Sequence, residues 1–286
     1  MRRRYGVKRY ICVINNETGE IKRQFYNVKK SEIKNPMAFE SHKCDMTDVL
    51  GNYYNFFFDR INKLNIEPLM LVRFLRLCCY LNYDNLLFIG KTRWNRNVRE
   101  NEIGEILNLK RTSSYITKTY LIDKGLIYIY NGYIGVNSKY CIKGTVTIRK
   151  NVGCTRVFKD GYIELYNSIS SKNQMVIYYM IKLLPYMSIR YNALCFNPNE
   201  GSKDLIVPFK FKDVWRTLDI TSNTTKCNMK TYMLNTNVKD IPLVQIYNKI
   251  LYINPAIFLK TNSIDNVKFI IDTNNLILKM PFNEHI

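Results

Sequence analysis

The sequence predicts an α+β fold: two tandem helix-turn-helix units, each closed by a β-hairpin wing, behind an N-terminal β-hairpin. Three observations predict it. The first is the segment Asn101 to Val136, which reads as short helix, tight turn, second helix and hairpin. The second is its weaker recurrence between Lys212 and Ile253. There Lys118-Thr-Tyr-Leu121 falls on Lys230-Thr-Tyr-Met233, and Val136-Asn-Ser-Lys-Tyr-Cys-Ile-Lys143 falls on Ile253-Asn-Pro-Ala-Ile-Phe-Leu-Lys260. Internal self-similarity marks one supersecondary unit used more than once. The third is size: 286 residues with 47% hydrophobic content suit about two domains, each able to bury a core.

Residues 1–45 read as a basic arm, a β-hairpin and a linker. Arg2, Arg3 and Arg4 form the arm. Tyr10 to Ile14 and Ile21 to Val28 are strand-like, and the turn-rich segment Asn15 to Glu20 between them carries Gly19. Pro36 and the loss of periodicity mark the linker.

Residues 46–144 form the first unit. Two apolar stretches, Val49 to Lys63 and Pro68 to Leu81, read as helices, and Pro68 suits a first helical turn. A strand, Asn85 to Gly90, and a basic loop, Lys91 to Arg99, follow. In Glu102 to Leu109 the apolar positions Ile103, Ile106, Leu107 and Leu109 share one helix face. In the next helix, Tyr115, Ile116, Thr119, Tyr120 and Ile122 supply the expected buried stripe, leaving Ser113, Ser114, Thr117 and Lys118 nearer the surface. Gly125 is its stop signal. Tyr128 to Val136 is the hairpin, turned at Asn131-Gly132. Residues 145–161 read as a linker with room for a strand or two, and residues 162–286 as the second unit with a C-terminal β-hairpin. That unit repeats the order: helix Asn173 to Met187, strand Asn192 to Phe196, loop, two helices and wing. The closing hairpin would pair Val267 to Asp272 with Leu276 to Met280.

Forty-three Lys and Arg face 23 Asp and Glu, for a net charge of +20. With a pI near 9.5, this favours a polyanionic partner, nucleic acid ahead of membrane. Coding bias toward AT explains abundant Asn, Ile and Tyr, but not the arginines at 2, 3, 4, 93, 96, 99 and 111. No apolar run approaches the roughly 18 residues a bilayer span needs. Met1-Arg-Arg-Arg-Tyr-Gly is not followed by an apolar signal segment, so a cytoplasmic location in a bacterial host is expected. The eight cysteines form no C-x-x-C pair and are expected as reduced thiols.

Enzyme chemistry lacks its usual residues. The two histidines, His42 and His285, cannot supply a paired-histidine metal site, and zinc needs clustered Cys and His. Gly90-Lys91-Thr92 resembles the end of a phosphate loop, yet Asn85 stands where the earlier glycine belongs. Carboxylates are scattered; Glu102 and Glu105, one turn apart, suit a solvated helix face. No enzyme activity, catalytic residue, cofactor or metal is therefore expected.

The expected DNA-binding residues follow from how a recognition helix works. Its N-terminal residues meet base edges in the major groove, while wing and flanking cations grip phosphates. In the first copy these are Arg111, Thr112, Ser113, Ser114, Thr117 and Lys118. Arg reads guanine bidentately, and Ser or Thr serves bases or phosphates; Thr112 or Ser113 equally suits an N-cap. In the second copy they are Asn223, Thr224, Lys226, Cys227, Asn228 and Lys230, with Asn228 suited to adenine. The loop cations Arg93, Arg96 and Arg99 with Trp94 suit phosphate contact or stacking. The arm Arg2, Arg3 and Arg4 suits the minor groove.

The run Asn101 to Ile127, followed by Val136-Asn-Ser-Lys-Tyr-Cys-Ile-Lys-Gly144, resembles the winged-helix replication proteins of firmicute plasmids and phages. The close similarity covers about residues 69–144, and the two-unit layout is similar to plasmid initiators built from tandem winged helices. In the second copy, Lys239-Asp-Ile-Pro-Leu243 departs from the Lys-Gly-Leu pattern. The resemblance implies a sequence-specific duplex-DNA-binding protein that initiates replication at origin repeats. Transcriptional regulation is the alternative on the same fold, and a structural or host-protein-binding role is a third. Double-stranded DNA is the expected partner, with a second copy of the chain and host replication or transcription proteins as further candidates.

Overall fold

The computed structural model describes residues 9–14, 21–26, 50–90, 96–144, 153–260 and 270. The expected N-terminal hairpin is present: β1 (Arg9–Ile14) pairs antiparallel with β2 (Ile21–Tyr26), from Arg9↔Tyr26 to Ile14↔Ile21. Helices and small antiparallel sheets are mixed along the remainder, an α+β architecture.

One order of elements then occurs twice. The first pass runs β3 (Tyr53–Phe56), α1 (Phe58–Ile61), α2 (Pro68–Cys78), β4 (Phe88–Ile89), β5 (Arg96–Asn97), α3 (Ile103–Leu107), α4 (Arg111–Asp123), β6 (Ile127–Tyr130), β7 (Tyr133–Val136) and β8 (Cys141–Ile142). The second runs β9 (Thr155–Phe158), α5 (Lys159–Ser168), α6 (Met175–Leu183), α7 (Phe211–Thr217), α8 (Asn223–Asn235), β10 (Asn237–Val238), β11 (Ile241–Pro242), β12 (Val244–Tyr247), β13 (Ile250–Ile253) and β14 (Phe258–Leu259). Pro68 opens α2 at its first turn, where a missing N–H costs nothing. Two pairs differ: β4–β5 of the first copy is replaced in the second by isolated bridges such as Cys195↔Pro208, and the β10–β11 hairpin is an addition of the second copy, at the place where the first turns on Gly125.

Hydrogen bonds show that the two passes are one design. Asn85 has left-handed backbone, φ 58°, and its Nδ2 donates to the carbonyls of Val136 and Cys141 at 3.1 and 2.8 Å. Asn192 has φ 55°, and its Nδ2 donates to Ile253 and Phe258 at 3.0 and 2.8 Å. Each asparagine ties the return strand of its hairpin to the strand that follows. The backbones agree as well: Val136 N donates to Asn85 O, as Ile253 N does to Asn192 O. Asn137 N donates to Leu126 O, as Asn254 N does to Leu243 O.

The copies meet in a four-stranded sheet of order β14-β9-β3-β8. At its centre Asn55 pairs with Arg156, flanked by Tyr54↔Val157 and Phe56↔Thr155. Outside, Phe56↔Cys141 and Asn55↔Ile142 match Val157↔Phe258 and Arg156↔Leu259. Exchanging the copies maps this register onto itself, so a local two-fold axis passes between Asn55 and Arg156.

Three expectations need correction. Val49 to Lys63 is not one helix: Tyr53–Phe56 is strand and Phe58–Ile61 is a separate short helix. Among its described residues Leu50 also has helical backbone, but the strand Tyr53–Phe56 interrupts the run; its apolar residues satisfied a helix pattern, whereas aromatic residues fit a sheet flanked on both sides. The 145–161 linker holds a strand it had room for, β9, but also the start of α5, so the second unit begins before residue 162. Ile270, the described residue of the expected strand Val267 to Asp272, has helical backbone and is buried beside Phe158 and Leu259. The remainder of the C-terminal hairpin lies outside the described residues.

The core does not respect the expected division either. One continuous apolar cluster runs from Tyr54 to Phe258 through both copies. Tyr162 Oη and Tyr166 Oη, both on α5, donate to the carbonyls of Val72 and Leu107 in the first copy at 3.0 and 3.1 Å. Cys78, Cys79, Cys141, Cys154, Cys195 and Cys227 are free thiols, with Cys78, Cys79, Cys141 and Cys195 buried. No helix among the described residues is long and apolar enough to cross a membrane.

Candidate nucleic-acid interface

Helix α4 is the second helix of a tightly turned pair. Asn108, φ 52°, ends α3 in left-handed backbone, and Leu109 N closes the turn onto Gly104 O at 2.8 Å. A side chain at position 104 would crowd Leu109 O at 3.1 Å and Ser114 Oγ at 3.2 Å, so glycine lets the two helices approach. The second copy repeats the turn at Asp219, φ 53°, with Ile220 N donating to Trp215 O at 2.9 Å. There Ser222 caps α8, its Oγ accepting from Thr225 N at 3.4 Å.

The inward face of α4 differs from the expected one. Thr117 and Leu121 are fully buried, whereas Tyr115 and Ile116 are 64% and 52% exposed. Ile122 is also exposed, and Thr119 and Tyr120 are half-buried. At about 100° per residue, the expected stripe is centred roughly half a turn away from the Thr117–Leu121 face, on nearly the opposite side of the helix. Buried polar partners set the phase: Arg73 Nη1 donates to Thr117 Oγ1 at 2.8 Å, and that hydroxyl donates to Ser113 O at 2.8 Å. Glu67 N also donates to Tyr120 Oη at 2.8 Å. Thr117, expected among the DNA contacts, thus lies inside and orients the helix. In α8 the corresponding inward residues are Met229 and Met233, both buried.

Other expected contacts divide by availability. Arg111 and Thr112 are exposed at the start of α4, and Ser113 and Ser114 are half-buried. Lys118 is half-buried and donates to Glu100 Oε2 at 3.0 Å. Arg96 grips both oxygens of Glu102, which also accepts from Arg99 N at 2.8 Å. The Arg96 guanidinium holds the Glu102 carboxyl below its usual range, so its own charge is already matched. The Arg99 side chain is exposed. Asn223, Thr224, Asn228 and Lys230 are exposed on α8 and Lys226 is half-buried. Lys230 Nζ lies 5.3 Å from the Phe211 ring centre. Arg2, Arg3, Arg4, Arg93 and Trp94 lie outside the described residues.

The structure adds candidates to these. Lys110 is exposed immediately before α4, and on α7 Lys212 and Arg216 are exposed beside α8, Arg216 pairing with Asp213 at 3.1 Å. The first hairpin shows Tyr128, Ile129 and Tyr130 to solvent. Its turn residues Asn131 and Gly132 have φ 50° and 77°, and Asn248 and Lys249 repeat this at 49° and 63°. The Asn-Gly signal revealed the first turn; Asn-Lys gave no such signal for the second.

Among the described residues no group of three or more His, Cys, Asp or Glu side chains is placed to hold a metal ion. Comparison with protein families, curated proteins and solved structures finds no match to the chain.

Proposed function

We propose that the protein binds duplex DNA sequence-specifically through two winged helices and initiates plasmid or phage replication. One observation carries the reading: an exposed second helix, α4 and then α8, recurs behind a tight turn and ahead of a hairpin, in a chain of charge +20. A helix so placed offers its N-terminal residues to base edges, while hairpin and flanking cations meet phosphates. In this reading Arg111, Thr112 and Ser113 face bases in one half-site, and Asn223, Thr224 and Asn228 in the other. Lys110, Arg99, Lys212 and Lys230 face phosphates. Thr117 only holds α4 in phase. The local two-fold axis suits two inverted half-sites of unequal sequence, read by one chain.

The same axis favours a second reading, a transcriptional regulator at an operator, because a fold does not fix its role. A protein in place of DNA would suit an apolar outward face on α8; that face instead carries Asn223, Thr224, Asn228 and Lys230. A second copy of the chain and host replication or transcription proteins are further proposed partners.

Selection of random duplex DNA on the purified protein, at physiological and high salt, tests the reading. The expected result is a bipartite motif with inverted arms; its position at an origin or a promoter then separates the two roles. Affinity that collapses in salt with no enriched motif would refute sequence-specific binding.

A further inference from the structure

We infer that the first copy reads thymine 5-methyl groups through Tyr115 and Ile116, while the second reads its half-site by hydrogen bonding through Asn228. This rests on the duplex-DNA reading above and deepens it. Tyr115 and Ile116 project from α4 at 64% and 52% exposure. Their register cannot be relaxed by rolling the helix, because Leu121 and the Arg73–Thr117 bond fix the opposite face. At the matching positions of α8 stand Cys227 and Asn228, both exposed. The two outward faces thus have different chemistry on the same scaffold.

Charge says what covers the apolar face. Lys110 and Arg111 stand at its N-terminal end and Lys124 just past its C-terminal end, all exposed. The nearby Glu100 is matched by Lys118. Asp123 is the exposed acid at the far end of the helix. An apolar centre between cations matches a major groove, where phosphates flank the bases and thymine alone presents a methyl group.

The test uses the bipartite site recovered by selection, with the first copy's half-site assigned as the one whose base preference changes in Arg111→Ala. Thymines of one half-site at a time are replaced by deoxyuridine, which removes only the methyl. In the first copy's half-site, affinity should fall roughly fourfold for each contacted methyl, the effect of one buried methyl group. In the other half-site, affinity should not change. Ile116→Ala and Tyr115→Ala should weaken binding to thymine DNA and abolish the thymine–deoxyuridine difference, with unchanged melting temperature because both side chains are exposed. Sequence-specific binding that ignores the methyls would overturn this inference and leave the DNA reading standing. Absence of sequence-specific binding would overturn both; a sedimentation shift to monomer in Ile116→Ala would then identify the face as a contact between copies.

Discussion

At the scale of single residues, two asparagines hold the repeated frame. Asn85 and Asn192 are buried in left-handed backbone, and each satisfies two main-chain carbonyls with one amide. Removing a buried donor leaves its acceptors unsatisfied, at about 1–3 kcal/mol each, and an alanine there adds about 1 kcal/mol of left-handed strain. Asn85→Ala and Asn192→Ala should therefore each destabilise by roughly 3 kcal/mol or more in chemical denaturation. The glycine variants should recover about 1 kcal/mol of that, the backbone share. Near-neutral alanine variants would remove these residues from the frame. Neither asparagine stood out in a sequence rich in Asn, because the signal is the carbonyls it meets, from strands far along the chain.

At the scale of elements, what was legible was local. The Gly125 stop of α4, the Pro68 start of α2 and the Asn131-Gly132 turn each follow from chemistry within a few residues; the start of α4 does not, because its N-cap is Lys110 with no side-chain cap, and Thr112 and Ser113, the expected caps, lie within the first turn. The phase of α4 was not legible: Tyr115 and Ile116 have core-like side chains, and the inward position of Thr117 depends on Arg73 from another helix. Nor was β3, which exists because it pairs with β9 across most of the first copy; β9 itself fell where the 145–161 segment had room for a strand. The second hairpin, β12–β13, was legible only through its likeness to the first, and its turn carries a measurable flaw. Lys249 holds φ 63° where the first copy has Gly132. Lys249→Gly should raise stability by about 0.5–1 kcal/mol, and Gly132→Lys should lower it by a similar amount, read as shifts in denaturation midpoint. A loss on Lys249→Gly would show that the lysine side chain is held in the turn.

At the scale of the whole molecule, the shared sheet and continuous core bear on stability. The fragment 46–144 lacks β9, the partner of β3, and the α5 tyrosines that donate to Val72 and Leu107. It should show no cooperative melting transition, and a sharp transition would make the first copy an independent domain. The buried thiols set an alkaline limit. Burial pushes Cys78, Cys79, Cys141, Cys154 and Cys195 up, so an unfolded chain releases these protons first and stability falls as pH rises above about 9. Lys260 acts the other way: burial lowers it to about 8, and stability rises from there toward its ordinary value of 10.5. Five thiols oppose one such lysine, joined by the less buried Lys143. The melting temperature under reducing conditions should therefore stay level near pH 8 and drop beyond pH 9; a continued rise would mean the thiols are not held protonated. The pairing of β3 with β9 has one more consequence. A dimer of identical chains must find its mate, so its occupancy of a two-part target responds steeply to concentration. Here the mates are covalently one chain, so, if the proposed DNA reading holds, occupancy by a single molecule would rise hyperbolically even when very few copies are present, and either half could mutate without changing its counterpart.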